Sequence, residues 1–327
     1  MDILIQSGIG WIIAIQSLGD WLRLPMLFFT ALGNENFFFL VLPFLYWSVD
    51  TGLGLRVAFI LVTSNYLNSI VKLLFAAPRP FWVNTDVIPF IQEHSFGIPS
   101  GHAQNAAAFT GITAAWIKRA WAWVTLVLLT FFIGFSRVYL GVHFVHDVVA
   151  GWLLGYLLLV LFLLLWNPAT AWLKMKTMPQ QIAIAFLISL SMIVLGTLTT
   201  ARLDGYVFPV EWQENALRAG PLPDPISLED TFTTAGTFLG LAVGAVWIAS
   251  RGGFHTTGSL NQRVLRYVIG LFGIMILWFG LGQIFPRGET LLPLVLRYLR
   301  YILVGFWITA GAPWLFFHFK LVRSPKM

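Results

Sequence analysis

Apolar runs separated by short polar breaks recur along the chain. At roughly 17 to 25 residues each, they match helices that cross the hydrocarbon core of a bilayer. The pattern predicts an all-α, multi-pass transmembrane bundle of about nine spans. The first runs from about Leu24 to Trp47, with Pro25 near its start and Asn34-Glu35-Asn36 interrupting it. A second covers about Leu53 to Phe75, a short third reaches Trp116, a fourth covers Trp121 to Phe135 and a fifth His146 to Trp166. Further spans are expected near 181–200, 231–249, 264–285 and 299–318. Residues 3–18 are apolar but broken by Gln6, Ser7, Gln16 and Ser17, which suits a helix lying in the interface, so 1–23 is read as an N-terminal interfacial segment. No internal repeat of fixed period is visible.

Polar residues change this picture where they fall in register. Asn65, Asn68, Ser69 and Lys72 lie at i, i+3, i+4, i+7 spacing and share one face of the second span. Ala76 to Pro99 reads as a loop, because Pro78, Pro80 and Pro89 fix turns and remove backbone donors. Gly151 and Gly155 give the fifth span a small-xxx-small face for close helix contact. Between residues 201 and 230 lies a proline-containing acidic segment, in which Glu211 to Arg218 suits a short amphipathic helix ending at Gly220 and a solvated loop fits as well.

Composition agrees with a membrane protein: 58% of residues are hydrophobic and 10% charged, against about 25% charged in a soluble chain. There is no Cys, which excludes disulfides and Cys-ligated metals. The net charge of +6 is scattered through interhelical breaks, which argues for membrane topology and against nucleic-acid binding. Breaks near 118, 174 and 251–263, with Lys320, Arg323 and Lys326, hold basic residues without acidic ones and are read as cytoplasmic. Asp86, Glu93 and the acidic 201–230 segment then face outward. Asp2 stands where a secretory signal carries basic residues, so the N-terminus is expected to be retained.

The chemistry concentrates between Lys72 and Asp147, on the outward side. Charges near a membrane helix centre cost about 2.5–3.5 kcal/mol each on insertion scales, so their clustering at helix ends calls for a function. Lys72, Arg79 and Arg137 offer positive charge, the arginines as planar forks that fit phosphate oxygens. Ser100-Gly101-His102 sits where a loop turns into a helix, so its free N–H groups make an anion seat. His143 and Asp147 lie four residues apart, which on a helical turn brings carboxylate and imidazole together. That partner fixes one tautomer and frees the other nitrogen to attack phosphorus. His102, from another helix, can protonate the departing alkoxide and later activate water.

Each feature alone has a plainer explanation. A single Lys72 suits a snorkelling anchor, the His–Asp pair suits a satisfied polar pair or part of a metal site, and Ser-Gly suits a helix cap. Their joint order and spacing favour a phosphate site, which requires His102 and His143 to reach opposite sides of one tetrahedral ion. His146, adjacent to Asp147, is read as pointing to a different face, His94 as a loop residue for which substrate contact is the lesser reading, and Asn34 and Glu35 as helix-packing polar groups.

The pattern Lys72-x6-Arg79-Pro80, Pro99-Ser100-Gly101-His102, Ser136-Arg137-x5-His143-x3-Asp147 resembles the three-part signature of the type-2 phosphatidic acid phosphatase superfamily. That resemblance implies a metal-independent lipid phosphatase without cofactors. In it Lys72, Arg79, Ser100, Gly101 and Arg137 hold phosphate, His143 is the nucleophile, His102 the acid and Asp147 the support of His143. It also implies a helical core shared with vanadate-dependent haloperoxidases, here residues 24–166, followed by additional spans over 167–327. Leu32-Gly33-Asn34-Glu35, Leu42-Pro43-Phe44, Tyr46-Trp47 and Asp50 are similar to sphingosine-1-phosphate phosphatases, although Gly101 stands where that group commonly has threonine.

The expected activity is hydrolysis of a lipid-linked phosphate monoester or diphosphate through a phosphohistidine at the outer membrane face. The expected partners are lipid phosphate and membrane lipids. Phosphotransfer to a hydroxyl acceptor uses the same residues, and a non-catalytic lipid-phosphate transporter or sensor is the remaining class. Compact loops suit a bacterial cytoplasmic membrane, or the endoplasmic reticulum in a eukaryote.

Overall fold

A computed structural model describes residues 2–322, and those residues contain helices and no strand. Arg323 and Lys326, used above for topology, lie outside the described residues. In order the helices are α1 (Asp2–Gln16), α2 (Arg23–Ala31), α3 (Glu35–Phe44), α4 (Thr51–Phe75), α5 (Pro80–Val83), α6 (Gly101–Ile117), α7 (Ala120–Tyr139) and α8 (Val145–Lys174). They continue with α9 (Met178–Ala201), α10 (Val210–Ala219), α11 (Glu229–Ala249), α12 (Leu260–Met275), α13 (Leu281–Ile284), α14 (Leu291–Phe306) and α15 (Ala312–His318).

Seven helical stretches are long and apolar enough to cross a membrane. An eighth is added if Ile5–Gln16 and Asp20–Ala31, bent by 87°, form one broken span. The expected span from Leu24 to Trp47 is divided, since α2 stops at Ala31 and α3 starts at Glu35. Asn34 causes the break: its side-chain oxygen accepts the backbone N–H of Asn36 at 3.2 Å, a local bond that competes with helix continuation. The short third span, α6, has Gln104 and Asn105 buried at 0% and 5% exposure, so protein covers faces that lipid would otherwise meet. Residues 210–219 do form a helix, α10, ending at Gly220.

The described helices group into two compact units. Unit 1 comprises Met1–Phe38, Leu67–Leu161 and Leu198–Ser227, and unit 2 comprises Phe39–Tyr66, Phe162–Thr197 and Leu228–Met327. In unit 1, Ile9 and Ile12 of α1, Trp82 of α5, Tyr139 of α7 and Ala216 of α10 enter one apolar core. Gln16 ties α1 down by donating to the carbonyls of Ile88 and Tyr139 at 2.7 and 3.0 Å. The glycines of α8 act as expected: a Cβ on Gly151 would stand 2.5 Å from the Ser100 carbonyl oxygen, and one on Gly155 would collide with that of Gln104. Only glycine lets α8 approach α6 this closely.

Unit 2 is built around Trp47, which is fully buried and donates from Nε1 to the Ile308 carbonyl at 2.8 Å. Tyr46 donates its hydroxyl to Thr309 O at 3.1 Å. Asp50 caps α4 by accepting the Leu53 N–H at 2.6 Å. The Tyr46-Trp47 and Asp50 positions thus serve packing and helix initiation. Gly236, Gly240 and Gly244 along α11 leave no space for a Cβ against α14 and the turn after it, which is how those helices come into backbone contact.

Candidate active site

Four helix ends of unit 1 meet: the C-termini of α4 and α7 and the N-termini of α6 and α8. Asn68, on the last turns of α4, donates to Pro99 O at 3.2 Å and Gln104 Oε1 at 2.9 Å, fixing that end against the start of α6. The Ser100 N–H donates to the Asp147 carbonyl at 2.9 Å, which joins α6 to α8. One helical turn beyond Asn68, Lys72 directs its ammonium to Ser95 Oγ at 2.9 Å and Phe96 O at 2.5 Å.

Arg79 has extended backbone geometry immediately before α5, where Pro80 starts the helix. Its side chain is completely buried, with Nε donating to Ser95 O at 2.6 Å and Nη1 to Val142 O at 2.9 Å. Nη1 also lies 3.2 Å from His143 Nε2. The opposite ring nitrogen, His143 Nδ1, is 3.2 Å from Asp147 Oδ2, which also accepts the Phe144 N–H at 3.0 Å. A guanidinium only donates and a carboxylate only accepts, so one tautomer satisfies both contacts: proton on Nδ1, lone pair on Nε2. Burial first, then the charges of Arg79, Lys72, Arg137 and His102, push the His143 imidazolium pKa well below its ordinary value. The ring is therefore held neutral with its free nitrogen towards the cations.

Arg137, 1% exposed, gives Nη1 to Thr30 Oγ1 at 2.5 Å and pairs through Nη2 with the Glu93 carboxylate. Its Nε and the Ser100 Oγ are buried polar atoms with no partner. Both atoms are therefore available to an anion that enters the cluster. His102, on the first turn of α6, lies within electrostatic reach of Arg137, Glu93, Arg79 and Lys72. Its ring edge packs against Gly33, where a Cβ would stand 3.0 Å from Cδ2. Gly101 faces Asn68 Oδ1, which a Cβ would approach to 3.0 Å.

Glu93 is the member of this cluster that sequence reasoning used only for topology. One carboxylate oxygen pairs with Arg137 and the other lies 3.3 Å from Arg79 Nη2, so it bridges the two forks. Burial pushes its carboxyl pKa up, but Arg137 and Arg79 outweigh this and hold it well below the usual carboxylate range. Bidentate bridging of two guanidiniums is also what a phosphate would do. Ser95, bonded to both Lys72 and Arg79, and Thr30, bonded to Arg137, were missed as well. The available signal was a carboxylate inside the loop that joins two cation-bearing motifs of an acid-poor chain.

All eight residues singled out from the sequence thus lie in one unit, around one cationic centre. His94 is exposed on the loop. His146, read as pointing elsewhere, stacks on Phe144 with Nε2 3.4 Å from Asp147 Oδ1, and it is 40% exposed.

The chain is similar to known membrane phosphatases. The family described as "PAP2 superfamily" matches residues 53–171, and "PAP2 superfamily phosphatase, transmembrane extension" matches residues 232–324. Phosphatidylglycerophosphatase B of Bacillus subtilis (strain 168) is 31% identical over 154 residues, covering 43% of this chain and 73% of that protein. Sphingosine-1-phosphate phosphatase 1 of Rattus norvegicus is 30% identical over 147 residues, 41% of this chain, which spans only 33% of that relative's length. Glucose-6-phosphatase 3 of Bos taurus is 25% identical over 362 residues, covering 100% of this chain and 99% of that protein. With its three motifs gathered at one cationic centre and its C-terminal helices matching the extension, the chain belongs to the PAP2 superfamily of membrane phosphatases.

Proposed function

We propose that the chain hydrolyses the phosphate ester of a membrane lipid in two displacements at His143, with residues 24–166 as its catalytic core and the site facing away from the cytoplasm. His143 Nε2 attacks phosphorus while the ester P–O bond breaks, and His102, which takes up a proton when the phosphate's negative charge offsets the surrounding cations, gives it to the leaving alkoxide. Water then attacks the phosphohistidine, His102 takes its proton, and inorganic phosphate leaves. Asp147 holds the Nδ1 proton and stabilises the charge on the ring. Lys72, Arg79 and Arg137 neutralise the transferring oxygens, with Ser100 Oγ and the N–H groups at the start of α6 as further donors. Positive charge on that scale does the work a divalent cation does elsewhere, so turnover is metal-independent in this reading.

The observation that carries it is the single His143 tautomer set by Asp147 and Arg79, which keeps Nε2 unprotonated, with its lone pair held by Arg79 Nη1 beside the cations. The lipid class is supported by the match to phosphatidylglycerophosphatase B and by the placement of the site at the ends of membrane-spanning helices. A second reading, a soluble sugar phosphate, is favoured by the full-length match to glucose-6-phosphatase 3.

The deciding experiment measures phosphate release by the detergent-solubilised chain, with chelator present, from phosphatidylglycerophosphate, phosphatidate, sphingosine-1-phosphate, a polyprenyl diphosphate and glucose 6-phosphate. Lipid turnover that disappears in His143→Ala supports the proposal. Turnover of glucose 6-phosphate alone selects the second reading, an acceptor-dependent product selects phosphotransfer, and activity surviving His143→Ala sinks the nucleophile.

A further inference from the structure

A second cationic cavity lies wholly within unit 2, of about 440 Å³, between the N-termini of α11 and α14 and the C-terminus of α13. Its lining includes Arg287, Arg297 and Arg300, with Glu229 as the one carboxylate. Glu229 is engaged by Arg297, whose Nη2 is 2.5 Å from Glu229 Oε2 and whose Nη1 is 3.4 Å from Thr233 Oγ1. Arg300 lies with its guanidinium 5.1 Å from the Tyr301 ring centre, and its Nε is a buried donor without a partner. Trp278 supports this wall by donating to the Tyr301 hydroxyl at 3.2 Å. Three guanidiniums and one carboxylate leave the lining with a surplus of two positive charges, from the same residues.

The cavity sits where the chain turns between two helical stretches long and apolar enough to cross a membrane, Leu260–Ile284 and Leu291–His318. Ile284, next in sequence to the lining residue Phe285, and Leu291, two before Pro293, are 76% and 75% exposed, so large apolar side chains flank the cavity. A ligand that matches both features has a phosphate beside an apolar tail, and the volume falls in the usual range for a bound small molecule. We propose that this cavity seats the phosphate of an anionic phospholipid headgroup, with Arg300 and Arg287 as its principal donors. Planar guanidiniums suit phosphate oxygens, and their surplus charge favours an anionic headgroup over a zwitterionic one. The seat is independent of the catalytic reading, because none of its residues belongs to unit 1.

The test is lipid retention by the full chain in detergent, read by native mass spectrometry during titration with phosphatidylglycerol, phosphatidylcholine or inorganic phosphate. Phosphatidylglycerol should bind in preference to phosphatidylcholine, and Arg287→Gln with Arg300→Gln should weaken it about 30-fold, from two lost charges. Arg300→Lys, which keeps the charge but not the planar fork, should weaken binding less than Arg300→Gln, and adding Arg137→Gln should leave the loss caused by the Arg287 and Arg300 substitutions unchanged. If the double variant does not fold, Arg287→Gln on the exposed turn alone should cost about fivefold. Unchanged affinity in these variants, equal binding of phosphatidylcholine, or displacement by millimolar inorganic phosphate overturns the proposal, the last by assigning the cavity to free phosphate.

Discussion

Arg79 and Arg137 in unit 1 and Arg266 in unit 2 are equally buried, at 0%, 1% and 0% exposure, yet the first two reach a carboxylate and the bonds of the third all go to backbone carbonyls. Arg266 gives Nε to Gln262 O at 3.3 Å, Nη1 to His255 O at 3.4 Å and Nη2 to Thr256 O at 2.9 Å. Its bonds fasten the 250–259 loop to α12. Arg137 and Arg79 share the Glu93 carboxylate, and Arg137 keeps a buried Nε with no partner. Burial alone therefore does not mark a functional arginine; the chemistry of its acceptors does. Carbonyl acceptors are fixed by the backbone, whereas a carboxylate on a loop can be exchanged for another anion.

The contrast is broken most strongly at the proposed nucleophile. His143→Ala should lower turnover by about 10⁴-fold or more while leaving the chain folded, checked by phosphate release beside the unfolding midpoint. Arg137→Gln should follow with a loss of about 10²–10³-fold in turnover and little change in midpoint. Arg266→Gln should do the reverse, with stability falling by about 2–4 kcal/mol as the loop carbonyls of His255 and Thr256 lose their partner, and turnover per folded molecule unchanged. Equal effects of the two arginine substitutions on both readouts would erase the distinction.

A smaller effect concerns pH. His143 is held neutral below its ordinary pKa of 6.5, so the unfolded chain takes up a proton that the folded one refuses. Stability should be unaffected by this group above pH 6.5 and fall by about 1.4 kcal/mol per pH unit below it, until the lowered folded value is reached. A thermal-unfolding series should show a shallower acid slope in His143→Gln. Glu93 acts in the same direction at lower pH: its depressed carboxyl keeps the bridge from above its ordinary value of 4.5 and gives it up only as pH falls through the folded value. The smallest predicted change is in affinity. Glu93→Gln should strengthen inhibition by inorganic phosphate or vanadate several-fold, since the neutral amide competes less well for two guanidiniums. Weaker inhibition would instead make Glu93 part of the anion seat.

What was legible followed local geometry. His143 and Asp147 are one helical turn apart, Gly151 and Gly155 line one helix face, and Ser100-Gly101 opens a helix, so each could be recognised without knowing its neighbours. The division of the Leu24–Trp47 span was visible only as the Asn34-Glu35-Asn36 interruption, because a polar triplet can be buried in a helix or can break it. Glu93, Ser95 and Thr30 were illegible because their roles depend on contacts across long stretches of chain: Glu93 meets Arg137 at a separation of 44 residues and Thr30 meets it at 107.

By itself, then, the sequence determined that the chain forms apolar helices with cations and imidazoles at their ends, since hydropathy and helical spacing are properties of single segments. Tertiary structure alone decided that a loop carboxylate bridges the two guanidiniums, that α6 is enclosed by protein, and that a third buried arginine only fastens a loop. Those outcomes depend on which acceptors arrive when helices pack, and no one segment contains both partners.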